Sequence, residues 1–285
     1  MDKIKIMTDT ASDISLETAE KYGIHLVPIN FVIDGKNVKD KIDISTAEFY
    51  KYMATHDEIP KTSQVTVSEH IDEFKKFCDE YAIIYVTISS KGSGSMQSAM
   101  LARNEILEEN PDADITIIDS MSFTYGYGYH VIQAAKMANA GAKKEEIITM
   151  LQERIPKMEI ILSVETLEYL QKGGRISPAA KILANVLDIT PILAVEDGLV
   201  MSREKVRGKK KVISKMTDMV LNNADLESDM PIIIMQGNVP EKAEKMRDMI
   251  AEKTGRNDSE IVEVGACIGI HTGPGVIAYI YQKKQ

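Results

Sequence analysis

Apolar residues recur along the first half of the chain in two alternating rhythms: short β-branched runs, and longer stretches with apolar residues three and four apart. Residues 3–7 predict a strand, residues 15–22 a helix and residues 24–33 another strand, closed by the hairpin dipeptide Asp34-Gly35. A helix is expected after Asp43, where Ser45 and Glu48 have capping-box spacing. Pro60 stops helix, and Thr62, Ser63 and Gln64 then read as polar side chains of a loop. Residues 67–81 are amphipathic, with Ile71, Phe74 and Phe77 along one side. The run Ala82-Ile83-Ile84-Tyr85-Val86-Thr87-Ile88 predicts a buried strand, followed by a serine-rich turn and a helix ending near Asn110-Pro111. Residues 114–119 predict the next strand and residues up to about 140 the next helix. Such alternation implies a mostly parallel sheet with flanking helices, whose ligands lie beyond the carboxyl ends of the strands. The segments 8–13, 89–95 and 119–125 occupy those ends.

A boundary is expected near Ile155-Pro156, dividing the chain into α/β domains of residues 1–155 and 156–285. The second half predicts strands at 158–164, 189–195 and 199–203, the latter two joined by the hairpin signal Glu196-Asp197-Gly198. Further strands at 231–236, 261–265 and 276–281 alternate with helices, and together with that antiparallel hairpin they make a mixed sheet the expectation. Gly269-Ile270-His271-Thr272-Gly273-Pro274-Gly275 reads as a glycine-rich loop.

Composition narrows the function classes. A net charge of −9 argues against nucleic acid as the main partner. One basic run, from Arg203 to Lys211, reads as a loop and exposed helix start; a solvated face is the simpler reading, and an acidic protein or a phosphorylated ligand the alternative. No apolar stretch approaches the ~18–20 residues that span a bilayer. The strand pattern that begins at the first residues leaves no signal peptide, so a cytoplasmic location is expected. Cys78 and Cys267 lack metal-ligand spacing and read as buried free thiols, and the histidines show no metal-site spacing, so no metal is expected. Sixteen methionines and no tryptophan suit either an adaptable apolar pocket or ordinary core filling, and core filling is the simpler reading.

Candidate chemistry concentrates in Ser89-Ser90-Lys91-Gly92-Ser93-Gly94-Ser95. A strand, tight turn and helix start aim backbone N–H groups and the positive end of the helix dipole at whatever lies above the turn. Gly92 and Gly94 permit close approach of a ligand to the backbone, and the serines add hydroxyl donors. The stretch suits a carboxylate or phosphate; a turn closed by an N-cap serine is the plain alternative. It is not a dinucleotide fingerprint, because Gln97 stands where a third glycine is needed. It is neither a P-loop nor a hydrolase Gly-x-Ser-x-Gly elbow.

Five pieces taken in order resemble the DegV family of bacterial lipid-binding proteins over essentially the whole chain. They are Thr8-Asp9-Thr10-Ala11-Ser12-Asp13-Ile14, the Thr62 segment, the serine turn, Tyr169-Leu170-Gln171-Lys172-Gly173-Gly174-Arg175-Ile176-Ser177, and the His271 segment. One departure is the turn itself, where Gly92-Ser93-Gly94-Ser95-Met96 replaces the family's usual Leu-Ser-Gly-Thr-Tyr. The resemblance implies a long-chain fatty acid in a buried tunnel between two α/β domains, with no cofactor. It implies that Thr62, Ser93, Gly94 and His271 hold the carboxyl group, with Arg175 at the tunnel mouth. It further implies a non-catalytic subunit of a fatty acid kinase system. A separate ATP-binding kinase subunit would phosphorylate the bound carboxyl, the acyl phosphate would enter phospholipid synthesis, and transient membrane contact would allow ligand exchange. Two other readings remain at this point: a serine esterase or thioesterase using Ser93 and His271, and a carrier of another amphiphilic acid.

Overall fold

The computed structural model describes residues 3–177 and 189–284, and within it the chain forms two compact units. Residues 1–45 and 60–156 make the first, and residues 46–59 and 157–285 the second. The single cut expected after residue 155 therefore needs a correction, because the segment 46–59 belongs with the C-terminal half. Its helix α2 (Thr46–Thr55) buries Phe49 and Tyr50, and the Tyr50 hydroxyl donates to the Val264 carbonyl at 2.9 Å.

The first unit is built on a four-stranded sheet in the order β2-β1-β6-β7, formed by His25–Val27, Ile4–Asp9, Ala82–Thr87 and Ile115–Asp119. Every pairing in it is parallel. β6 is buried along its whole length, as its unbroken β-branched and aromatic sequence predicts for a central parallel strand. The chain leaves β1 for β2 on one side and reaches β6 on the other, so the strand order reverses between β1 and β6. Helices α1 (Leu16–Tyr22), α3 (Val67–Lys75), α4 (Ser95–Glu109), α5 (Tyr125–Asn139) and α6 (Lys144–Arg154) complete the unit. The Ser15 side chain caps α1 by accepting from the Thr18 N–H, and Thr66 with Glu69 forms a reciprocal capping box on α3.

Two expectations for this unit change. The strand expected over residues 24–33 is two strands, β2 and β3 (Asn30–Ile33), separated at Pro28-Ile29 and placed in different sheets. Thr62 and Ser63 lie not in a loop but in β5 (Lys61–Ser63), which pairs antiparallel with β3 in the small sheet β4-β3-β5, where β4 is Lys36–Lys39.

The second unit holds a six-stranded mixed sheet in the order β10-β9-β8-β13-β11-β12. Its strands are β8 (Met158–Ser163), β9 (Ile189–Glu196), β10 (Leu199–Arg207), β11 (Ile233–Gln236), β12 (Glu260–Glu263) and β13 (Ile277–Gln282). β11 and β12 pair in parallel, and the remaining neighbours are antiparallel. Helices α8 (Val212–Asn223) and α9 (Pro240–Thr254) send Met216, Met219, Met246 and Ile250 into one core with Ile161, Ile192, Ile234 and Tyr279. The strand expected over 199–203 runs on to Arg207, so Glu204, Lys205 and Arg207 belong to β10 rather than to the loop expected for them. The glycine-rich segment also differs from expectation, because Ala266–Thr272 is a helix, α10. Gly269 within it lies where a Cβ would come 2.6 Å from the Phe49 ring, so close packing against α2 explains that glycine.

Candidate functional site

In the first unit the serine turn stands at the strand-order reversal between β1 and β6, where ligands of open α/β sheets bind. Asp9, the last residue of β1, fastens this end together. Its buried carboxylate accepts from the Ile88 N–H at 2.8 Å, the Ala11 N–H at 3.1 Å and the Tyr127 hydroxyl at 2.6 Å. Burial pushes the Asp9 carboxyl up to about 6 despite these three donors. Asp9 also caps the short turn Thr10–Ser12, accepting from the Ala11 N–H. Its long-range bonds to β6 and α5 carried no local signal.

The turn itself is wound tightly on Ser89, whose carbonyl accepts from the Gly92 and Ser93 N–H groups at 2.9 and 3.0 Å. Ser93 and Ser95 hydroxyls share a hydrogen bond of 2.9 Å, and the Ser95 N–H donates to Ser93 Oγ at 3.2 Å. Gly94, not a serine, is the N-cap of α4, and no side chain caps that helix start. The N-cap serine expected on the plain reading is absent from α4, and the turn's hydroxyls are arranged around one another instead.

The segment after β5 is stitched to this turn. The Val65 N–H donates to Ser95 Oγ at 3.2 Å, and Gln64 Nε2 donates to Ser98 Oγ at 2.9 Å. A Cβ on Gly94 would fall 1.9 Å from Gln64 Oε1, so the glycine permits the Gln64 amide to lie across the turn. Gly92 likewise abuts the Phe123 ring, 2.5 Å from where a Cβ would sit. Thr62, half-buried in β5, thus lies two residues before the stitched Gln64-Val65 pair. Ser95, Gln64 and Ser98 support the turn by contacts that only the fold creates.

In the second unit His271 occupies the last turn of α10. It packs on Gly173 of α7 (Glu168–Gly173), where a Cβ would stand 2.2 Å from Nδ1. Gly174, the residue after α7, is left-handed with φ of +72°, and Arg175 folds back so that its guanidinium donates to the Gly173 carbonyl at 2.5 Å. Burial and then the Arg175 charge hold the His271 imidazole down to about 4, so it is neutral at pH 7. The consecutive Gly173, Gly174 and Arg175 and the sequence-distant His271 form one cluster.

Among the described residues, no group of three His, Cys, Asp or Glu side chains is placed to hold a metal ion. Among them too, no helix is long and apolar enough to cross a membrane. Cys78 and Cys267 are buried thiols.

A family model described as "Uncharacterised protein, DegV family" matches residues 3–284. A DegV domain-containing protein of Caldanaerobacter subterraneus subsp. tengcongensis is 35% identical over 290 residues, covering 100% of both chains. The chain belongs to the DegV family. Among solved DegV-like structures, a stearic acid-binding protein from Eubacterium ventriosum is 27% identical with a TM-score of 0.88, covering 99% of this chain and 98% of that one. DegV of Bacillus subtilis, described as a fatty acid binding protein, is 26% identical with a TM-score of 0.85 and covers 100% of each. The two α/β domains expected from the sequence, with a parallel N-terminal and a mixed C-terminal sheet, are those of this fold.

Proposed function

We propose that this protein binds a long-chain fatty acid in a buried tunnel and presents its carboxyl group to a separate ATP-binding kinase subunit. The observation that carries the binding is the full-length likeness to solved structures described as fatty-acid-binding, at 26–27% identity. Physical chemistry supports it. An acyl tail of ~15 methylenes at ~0.8 kcal/mol each supplies about 12 kcal/mol on burial, before the costs of association. Its carboxylate needs donors to be buried at all. Thr62, Ser93 and the backbone at Gly94 are the proposed donors, beside the uncapped start of α4. His271 is the proposed fourth partner, and Arg175 the residue at the tunnel mouth.

The same chemistry suits phosphorylation elsewhere in the complex. A neutral His271 and hydroxyl donors leave a carboxylate oxygen uncovered, whereas a bidentate arginine would mask both. That oxygen would attack the γ-phosphorus of ATP on the kinase subunit, the β–γ bond would break, and ADP would leave as the acyl phosphate forms. This chain positions the acid and supplies no proton transfer. The esterase reading is disfavoured, since Ser93 Oγ shares a hydrogen bond with Ser95 and burial, then the Arg175 charge, opposes the imidazolium that a hydrolase base must form.

The test is mass spectrometry of an organic extract, with native mass spectrometry to count ligands. About one long-chain fatty acid per chain is expected, with weaker loading by Ser93→Ala and Thr62→Ala; a folded protein that takes up no fatty acid of any length overturns the reading. Adding the kinase subunit and ATP should yield an acyl phosphate that hydroxylamine traps as a hydroxamate.

A further inference from the structure

The second unit holds a cavity of about 540 Å³ whose lining includes none of the residues proposed to hold the fatty acid carboxyl. Its volume lies within the range of small-molecule sites. It opens where α8 and α9 begin above the end of β8, and its floor is apolar, formed by Val164, Val212 and Ile277. Four lysines surround it: Lys209 and Lys210 from the short turn Lys209–Lys211, and Lys242 and Lys245 from the start of α9. The one carboxylate in the lining is Glu165, which pairs with Lys209 at 3.0 Å and also with Lys242. Among the described residues, Lys210 and Lys245 make no ion pair.

This arrangement runs against ordinary helix electrostatics. Cations at a helix start oppose the dipole. Yet α8 has no acidic residue in its first turn and is preceded by three lysines, and in the first turn of α9 Lys242 stands beside the dipole-matched Glu241. Neither helix start has a side-chain cap. The chain as a whole is strongly acidic, with a net charge of −9, so this cluster is not part of a general positive surface. Gly275, at φ of +88°, lies where a Cβ would come 2.4 Å from Glu165 Cγ, so the glycine leaves space for the carboxylate that organises two of the lysines. The remaining two lysines and two helix starts converge on unoccupied volume.

We infer that this cavity binds a phosphate monoester bearing a small apolar group, the phosphate held by Lys210, Lys245 and the starts of α8 and α9, and the apolar group seated on the floor. The dianion matches the uncompensated lysines, and the apolar floor favours an ester over inorganic phosphate.

Calorimetric titration tests this with n-butyl phosphate and with inorganic phosphate. Liposome co-sedimentation adds vesicles of phosphatidylcholine with and without phosphatidic acid, to separate a lipid headgroup from a soluble ester. The variants are Lys210→Ala/Lys245→Ala and, as a charge-matched control, Lys36→Ala/Lys51→Ala in exposed positions elsewhere. Saturable binding of n-butyl phosphate is expected, tighter than inorganic phosphate and weakened about tenfold or more by losing two charge-assisted partners. The control should bind as the parent does. Absence of saturable uptake, equal binding by Lys210→Ala/Lys245→Ala, or lysine-dependent binding to phosphatidic acid vesicles alone would each overturn the assignment. Fatty acid content of the same samples is read by native mass spectrometry, so failure of this inference and failure of the fatty acid reading are separately visible.

Discussion

Gly94→Ala separates the serine turn's role in binding from its role in folding. The added methyl would sit 1.9 Å from Gln64 Oε1 and 2.7 Å from Gln64 Cδ, so the amide must move. Gln64 is exposed and can swing outward, giving up its bond to Ser98, a loss of about 1 kcal/mol at such a site. The backbone at Gly94, with φ of −79°, accepts alanine without strain, and the stiffer unfolded chain returns about 0.4–1 kcal/mol. Folding stability should therefore change by no more than about 1 kcal/mol, a shift of roughly 2–4 °C in apparent melting temperature for a chain of this size. Binding should change far more. The methyl displaces the Gln64 amide that lies across the turn beside the Gly94 backbone proposed to meet the carboxylate, and losing one charge-assisted hydrogen bond of about 1.5–3 kcal/mol weakens affinity roughly 10- to 150-fold. Differential scanning fluorimetry on delipidated protein reads the first quantity and native mass spectrometric titration with stearate the second. A folded Gly94→Ala that loads stearate within twofold of the parent would refute the approach over Gly94. A collapse of the melting temperature would refute the freedom of Gln64 to move.

Gly173→Ala should behave differently, because its Cβ would meet the His271 ring at 2.2 Å rather than a mobile chain end. A stability loss of about 1–3 kcal/mol is expected from overpacking, together with a displaced imidazole resonance in NMR and weaker fatty acid loading; an unmoved resonance would contradict it. His70 makes stability fall in mild acid. It is fully buried against Tyr85 and the Thr66 carbonyl, and burial holds its imidazole down to about 4 from an ordinary 6.5. The unfolded chain then binds more protons between those values, so up to roughly 3 kcal/mol is lost as pH drops from 6.5 to 4. Asp9 opposes this, since a folded carboxyl near 6 against 3.8 unfolded stabilises most below 3.8 and loses that contribution as pH rises through 6. Urea denaturation from pH 4 to 7 should therefore show a steeper acid loss in Asp9→Asn and a shallower one in His70→Phe; parallel profiles would refute both assignments.

Much of the architecture was legible because burial leaves a linear trace. β6 is apolar at almost every position since both its faces are covered. The carboxyl ends of β1, β6 and β7 could be found from the order of strands and helices, and with them the serine turn. What failed was encoded in contacts between distant segments. β5 is three polar residues with no apolar alternation, and it is a strand because β3 offers it an edge. α10 reads as a loop because Gly269 and Gly273 suggest one, yet those glycines answer to rings of α2 and to Tyr169, 2.4 Å from a Cβ on Gly273.

The sequence by itself thus determined the fold class, the position of the serine turn and the family, since these depend on local periodicity and on motif order along the chain. Only the tertiary structure decided that α2 joins the second unit, that Gln64 and Val65 brace the turn through Ser98 and Ser95, and that burial, with the Arg175 charge, lowers the His271 proton affinity. It alone gathered four lysines from two elements around one cavity. The physical reason is the same in each case: packing distance, desolvation and charge proximity depend on which residues meet in space, and a linear pattern records only which residues are neighbours along the chain.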